Sequence, residues 1–254
     1  MPKKISDSAK AMQEQIYLMY RKAQNKVMET DRVGKIHVSD LNSPCIRKVY
    51  YSKTAERREL NTDDMKSMFF GQMLHKLVKV ADEDLNEVTL AYDYVKKEAV
   101  DIGKLRKKLD PDDPKWYDII VGTIDDLVQN PEKEWIICDK KTTGSIDWFK
   151  KSRTANESHI NQINKYHALL KYCRDIEAKH GCVIYISSTM TKDNYDKPII
   201  TTFDLSNPED TMKDMIEKAK KIKESMLKEK KPERTICFLC DGMCPHATFC
   251  FDDD

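Results

Sequence analysis

No run of apolar residues in this 254-residue chain comes near the ~20 that a transmembrane helix needs, which excludes a helical membrane protein. The opening MPKKISDSAK lacks the apolar stretch of a signal peptide, so a cytoplasmic protein is expected (host cytoplasm for a viral one). An excess of one charge is lacking too: 44 Lys plus Arg face 43 Asp plus Glu, a net charge of +1. With 40% hydrophobic residues, that balance excludes a wholly disordered chain. It does not exclude nucleic-acid binding, which depends on where the charge sits. The chain has no internal repeat and no low-complexity linker. At roughly 100–200 residues per domain, the length suits one large domain or two small ones.

Cysteine is the residue present in surplus. Eight cysteines without a secretion signal argue against a disulfide scaffold and for metal ligands or buried thiols. Cys138, Cys173 and Cys182 sit in apolar or helical segments, whereas Cys237, Cys240, Cys244 and Cys250 crowd the last eighteen residues. A C-x-x-C pair lets two thiolates grip one centre, and four thiolates suit either tetrahedral zinc or an iron–sulfur cluster. A zinc knuckle drawn from Cys237, Cys240, Cys244 or His246, and Cys250 needs no ligand from elsewhere.

Apolar periodicity predicts helices over 6–30, from Cys45 to Lys53, from Asp63–Asp64 to Val78, over 157–180 with Gly181 closing the last turn, and over 208–230. KIHVSDL reads as a short strand or as the entry into a helix capped by Ser39 or Asp40. EVTLAYDYVKKEAV, YDIIVGTIDDLV, EWIICDKKT, CVIYISSTM and KPIITTFDL read as strands, the second and third paired across Asn130-Pro131-Glu132. The mixture predicts an α/β (α+β) fold with helices covering a central mixed sheet. Three parts are expected: an N-terminal helical segment (1–62), a core (63–206), and a Lys-rich helix with the cysteine tail (207–254).

The hairpin GTIDDLVQNPEKEWIICDKKTT carries the most chemistry. Asp125 lies on one strand and Asp139 near the end of the next, and Lys141, two residues on, projects from the same face as Asp139. Two converging carboxylates bind a hard cation such as Mg²⁺ or Mn²⁺. A nearby ammonium can orient or deprotonate a water, or neutralise a phosphate oxygen, which is what phosphodiester hydrolysis needs. The plain alternative is a surface turn with ordinary charges. His75 sits within FFGQMLHKLV as a metal ligand or a core histidine. Gln162 and Tyr166 share a helix face. Gly122 either lets a ligand approach the backbone or marks a bulge.

In order, these residues resemble the PD-(D/E)XK nuclease superfamily, and more narrowly its RecB-type iron–sulfur exonucleases, which include the CRISPR-associated Cas-four family and the AddB nuclease domain. The resemblance covers Cys45 in VSDLNSPCIRKVYY, His75 in GQMLH, Asp125 in GTID, Asp139 and Lys141 in DKK, Gln162 and Tyr166 in QINKY, and the tail cysteines. It implies a restriction-endonuclease-like core, with His75, Asp125, Asp139 and the Lys140 carbonyl as ligands of Mg²⁺ or Mn²⁺. It further implies Lys141 as catalytic lysine, Gln162 and Tyr166 as supports for DNA, and a [4Fe–4S] cluster joining Cys45 to three tail cysteines. The family's C-x-x-C-x5-C spacing is not kept, so five cysteines compete for four places. Cys45, Cys240, Cys244 and Cys250 are the expected set, with Cys237 the substitute and zinc the alternative occupant.

For the substrate, DNA that is single-stranded or has free ends is expected. Arg47 and Lys48 are candidate phosphate contacts, and Tyr50, Tyr51, Trp148 and Phe149 are candidates for base stacking. Eight lysines against four acids over 213–231 form either a solvated helix face or a phosphate-neutralising one. Two other readings stand beside the nuclease: a non-catalytic metal-held nucleic-acid-binding module, and a subunit active only with recombination or CRISPR-adaptation partners.

Overall fold

In the computed structural model the residues described are 34–54, 71–73, 78–144, 146–188, 198–237, 240, 244 and 246–252. The helix expected over 6–30 and most of the one expected over 63–78, with His75, lie outside them; residues 71–73 are helical. Among the described residues no helix is long and apolar enough to cross a membrane.

Alternating apolar residues build β2 (Asn86–Asp93), β4 (Ile119–Gln129), β5 (Trp135–Thr143), β6 (Ala178–Ser187) and β7 (Ile199–Asp204), with β1 (Ile36–His37) and β3 (Glu98–Ala99) as short additions. They form one seven-stranded sheet in the order β3-β2-β4-β5-β6-β7, with β1 also on β4. Pairing is antiparallel except for β1–β4 and β5–β6. This is the expected α/β architecture, a central mixed sheet flanked by helices, and its strand order fits a restriction-endonuclease-like core. β1, from the segment expected to precede the core, belongs to the sheet.

Helices α1 (Val38–Asn42), α2 (Ile46–Thr54), α3 (Ile102–Arg106), α4 (Ile146–Ser152), α5 (Glu157–Arg174), α6 (Pro208–Leu227) and α7 (Ala247–Asp252) complete the described chain. One face of the sheet buries Ile120, Ile124, Leu127, Ile137, Val183 and Tyr185 against Ile163, Ala168, Leu169 and Leu170 of α5 and Met212, Met215, Ala219 and Ile222 of α6. The opposite face carries a smaller cluster of Cys138, Cys182 and Ile184.

Two boundaries differ from the sequence reading. The helix expected over 157–180 stops at Arg174, where Asp175 takes a left-handed φ of 52° as C-cap. Gly181 lies inside β6, where a Cβ would meet Phe203 at 2.6 Å and Ile163 at 2.9 Å, so it serves close packing and not a helix end. Helix α1 begins after His37, and Asp40 is its third residue, accepting the His37 backbone N–H at 2.9 Å.

Candidate active site and cysteine cavity

The site is built on a fork in the sheet. One edge of β4 pairs with β1 at Ile120 and Val121 and with β5 from Asp126 onward; among the described residues no strand pairs with the stretch between. Asp125 stands at this opening. The in–out alternation slips there, since Ile124 and Leu127 both reach the main core. Glu87, which lies between Asn86 and Val88, the partners of Asp126 and Ile124, has a φ of 51°. The Asp125 carboxylate turns toward β5, where Oδ2 accepts the Lys140 backbone N–H at 2.7 Å.

On β5, Asp139 and Lys141 alternate with Lys140. Their register partners, Val183 and Tyr185, belong to the main core, so both side chains lie on the α5 side of the sheet. Asp139 is 1% exposed and pairs with Lys141 Nζ at 2.8 Å, while the Lys141 side chain keeps 23% of its surface in solvent. A buried carboxylate beside an accessible ammonium is the polarity that an anionic substrate at this face would meet.

Helix α5 supplies the opposite wall. Gln162 Nε2 donates to Tyr166 Oη at 2.7 Å, as their four-residue spacing allows. Gly122 explains how closely α5 approaches: a Cβ there would lie 2.8 Å from Leu169, 2.9 Å from Val38 and 3.2 Å from Tyr166. The glycine therefore makes room for helix packing, neither of the two roles expected for it. His159, one turn before Gln162, was missed by the sequence reading, although it shares the spacing that picks out Gln162 and Tyr166. Its Nδ1 is 2.9 Å from Tyr185 Oη, and Tyr185 Oη also accepts the Asn156 N–H at 2.9 Å. Burial, and next the Lys141 ammonium, push the His159 pKa down to about 4.

Behind the fork lies a second pair that sequence reading did not find. Lys140 (1% exposed) and Asp126 (0%) form an ion pair at 2.9 Å. Asp126 Oδ1 also accepts from the backbone N–H groups of Val80 and Ala81 at 3.0 Å and from Asn86 at 2.8 Å, and Lys140 Nζ donates to the Val78 carbonyl at 2.6 Å. Residues 78–81, which follow the His75 segment in the chain, are thereby tied to the back of the hairpin. Burial alone would raise the Asp126 pKa, but the Lys140, Ala81, Asn86 and Val80 donors hold it below the usual carboxylate range.

The tail cysteines meet Cys45. Cys45, Cys237, Cys240, Cys244 and Cys250 line one cavity of about 20 Å³, with Lys48 and His246 also in its walls. Among the described residues no three Cys, His, Asp or Glu side chains are gathered tightly enough to hold a single metal ion. Arg47, expected to meet phosphate, is buried at 4% exposure near Cys250. Burial raises the Cys250 pKa, with Arg47 and Arg234 pulling the other way.

The Lys-rich α6 is not uniformly solvated. Lys218 Nζ donates to the Leu41 carbonyl at 2.7 Å and to the Ser43 carbonyl, holding the turn that leads into Cys45. Lys223 pairs with Asp118. Lys165 of α5 joins this support through Asn42 Oδ1 at 3.2 Å, and burial lowers its pKa to about 8. Trp148, at 53% exposure, stands at the surface on α4, while its neighbour Phe149 stacks on Tyr185 with centroids 3.7 Å apart.

No protein-family model matches the sequence, and no curated protein matches it. Solved structures do. An alkaline exonuclease from Laribacter hongkongensis (LHK-Exo) covers 78% of this chain and 94% of its own at 10% identity and a TM-score of 0.36. A phage related exonuclease from Haemophilus somnus 129PT covers 76% and 95% at 13% identity and a TM-score of 0.30. The crystal structure of SSO0001 is similar over 94% of this chain and 96% of its own, with 18% identity and a TM-score of 0.53. That last likeness is one of fold over nearly the whole length of both chains.

Proposed function

We propose that the chain is a divalent-metal-dependent deoxyribonuclease that hydrolyses phosphodiester bonds, with single-stranded DNA or DNA ends as substrate. The observation that supports this best is the fork, where the Asp125 carboxylate of β4 reaches across to the Lys140 N–H of β5 and Asp139, the residue before it, pairs with Lys141. Asp125, Asp139, the Lys140 carbonyl and His75 are the proposed ligands of Mg²⁺ or Mn²⁺; of these His75 lies outside the described residues. A cation held there supplies Lewis acidity and an activated water. Lys141 orients that water or neutralises a non-bridging phosphate oxygen, and its ion pair with Asp139 fixes where the ammonium sits. Gln162 and Tyr166 steady the DNA from α5. The exposed Trp148 and a groove of about 380 Å³ lined by Phe149, Lys150, Arg153 and residues 198–201 suit a flexible single strand through stacking and charge.

The cysteine cavity is assigned a [4Fe–4S] cluster on Cys45, Cys240, Cys244 and Cys250, with Cys237 in reserve. Five thiols around one cavity offer the donors that a [4Fe–4S] cluster needs, and the same thiolates would also suit tetrahedral zinc. Binding there joins α2 to the tail and contributes to folding more than to the cleavage chemistry.

The test is degradation of end-labelled single-stranded and duplex DNA by anaerobically purified protein with Mn²⁺ or Mg²⁺. Wild type should cut and Asp139→Ala and Lys141→Ala should not. Equal cutting by all three places the activity elsewhere, and no cutting by intact, metal-loaded protein favours a binding module or a partner-dependent subunit.

A further inference from the structure

The hydrogen count around Tyr185 assigns a proton. Tyr185 is 0% exposed, and its phenol oxygen accepts the Asn156 backbone N–H at 2.9 Å. The phenol has one proton of its own, and the acceptor it finds among the described residues is His159 Nδ1, also at 2.9 Å. The reverse arrangement, with Nδ1–H donating, leaves the phenolic proton buried without an acceptor. The bond therefore runs from Tyr185 Oη–H to His159 Nδ1, and the neutral imidazole carries its hydrogen on Nε2. Little in this arrangement is free to turn. The Tyr185 ring is stacked on Phe149 at 3.7 Å, and Tyr185 is the register partner of Lys141.

His159 is half-buried, on the α5 face that carries Gln162 and Tyr166, and close enough to Lys141 to feel its charge. Its Nε2–H forms no hydrogen bond among the described residues. Burial and the Lys141 ammonium keep the ring uncharged at neutral pH. A neutral N–H of fixed direction beside a lysine ammonium is a complement to a phosphodiester oxygen: it donates a hydrogen bond without adding a second cation next to the first.

We propose that His159 is a substrate contact, donating its Nε2–H to a non-bridging oxygen of the phosphate held at Lys141, with Tyr185 and Asn156 as the residues that fix its tautomer. The assignment rests on the nuclease reading of the fork, but it can fail separately from it.

The test uses protein with ¹⁵N-labelled histidine and thymidine 5′-monophosphate as probe. Two-bond ¹H–¹⁵N spectra of the wild type should show His159 with Nδ1 bare and Nε2 protonated, and Tyr185→Phe should lose that preference. Addition of the nucleotide should shift the His159 Nε2 resonance. His159→Ala should weaken nucleotide binding and raise KM about tenfold, with kcat changed less, because a hydrogen bond to a charged acceptor is removed. His159→Gln, whose amide N–H can take the place of Nε2–H, should recover part of the loss. A protonated Nδ1, an unmoved Nε2 resonance, or equal nucleotide binding by His159→Ala and wild type would overturn the proposal. Cleavage that depends on Lys141 but not on His159 keeps the nuclease and removes the contact; an Nε2 shift in a protein that cuts nothing keeps the contact and removes the hydrolysis.

Discussion

Replacing Asp126 by alanine should be among the most damaging single changes behind the fork. The side chain is fully buried and satisfies four donors: the Lys140 ammonium at 2.9 Å, two backbone N–H groups at 3.0 Å and the Asn86 amide at 2.8 Å. Its removal strands a buried ammonium that keeps, among the described residues, only the Val78 carbonyl as acceptor. Breaking a buried pair from one side costs about 3–5 kcal/mol, or about 6–20 °C in Tm at ~2–4 °C per kcal/mol for a domain near this size. Replacing both partners by leucine removes the stranded charge, so the double variant should be more stable than Asp126→Ala alone. The sign with pH follows from the lowered Asp126 pKa. A carboxylate lowered on folding contributes stability that is present above its unfolded value of ~3.9 and is lost as pH falls through its folded value. Acidification below about pH 4 should therefore cost the wild type more than it costs Asp126→Ala. Urea titrations of the single and double variants against pH measure all of this. A single-variant cost under ~1 kcal/mol, or a double variant as damaged as the sum of the singles, would refute the reasoning.

Gly122→Ala should cost about 1–3 kcal/mol and lower activity, because Leu169 of α5 and Val38 of α1 must both give way to clear contacts of 2.8 and 2.9 Å; thermal unfolding checks the first effect and DNA cleavage the second. Trp148→Ala should leave stability within about 0.5 kcal/mol but weaken single-stranded DNA binding by about 1–3 kcal/mol, read by fluorescence anisotropy. An unchanged affinity would make Trp148 an ordinary exposed aromatic. Cys45→Ser should remove the broad visible absorption of an iron–sulfur protein and open the tail to limited proteolysis; full iron content in that variant would take Cys45 out of the ligand set.

Much of the fold was legible because apolar periodicity reports which side of an element is buried. Met212, Met215, Ala219 and Ile222 mark the inner face of α6 in the sequence as they do in the structure. The end of α5 was not legible, since Lys171, Arg174 and Glu177 continue a helical pattern and only the left-handed Asp175 breaks it. At the site, Asp125, Asp139 and Lys141 follow from strand alternation, but the slip at Asp125 depends on the β1–β4–β5 fork, a long-range feature with no local signal. Gly122 looked like a bulge or a ligand approach because its neighbours Leu169, Val38 and Tyr166 come from distant parts of the chain. The Asp126–Lys140 pair was hidden for a similar reason: two charged residues inside strands look solvent-facing until the segment 78–81 is placed over them. His159 could have been read from its spacing to Gln162; Tyr185 could not, because its place opposite Lys141 is set by parallel pairing across two elements.

The most direct test of the account is a Mn²⁺ titration, followed by calorimetry or electron paramagnetic resonance, of the wild type, Asp139→Ala and Lys141→Ala in the absence of DNA. The account predicts that the wild type and Lys141→Ala bind the ion at the fork and that Asp139→Ala does not, because the carboxylates hold the cation while the lysine serves the water and the phosphate. Equal binding by all three proteins, or no binding by the wild type, would contradict it.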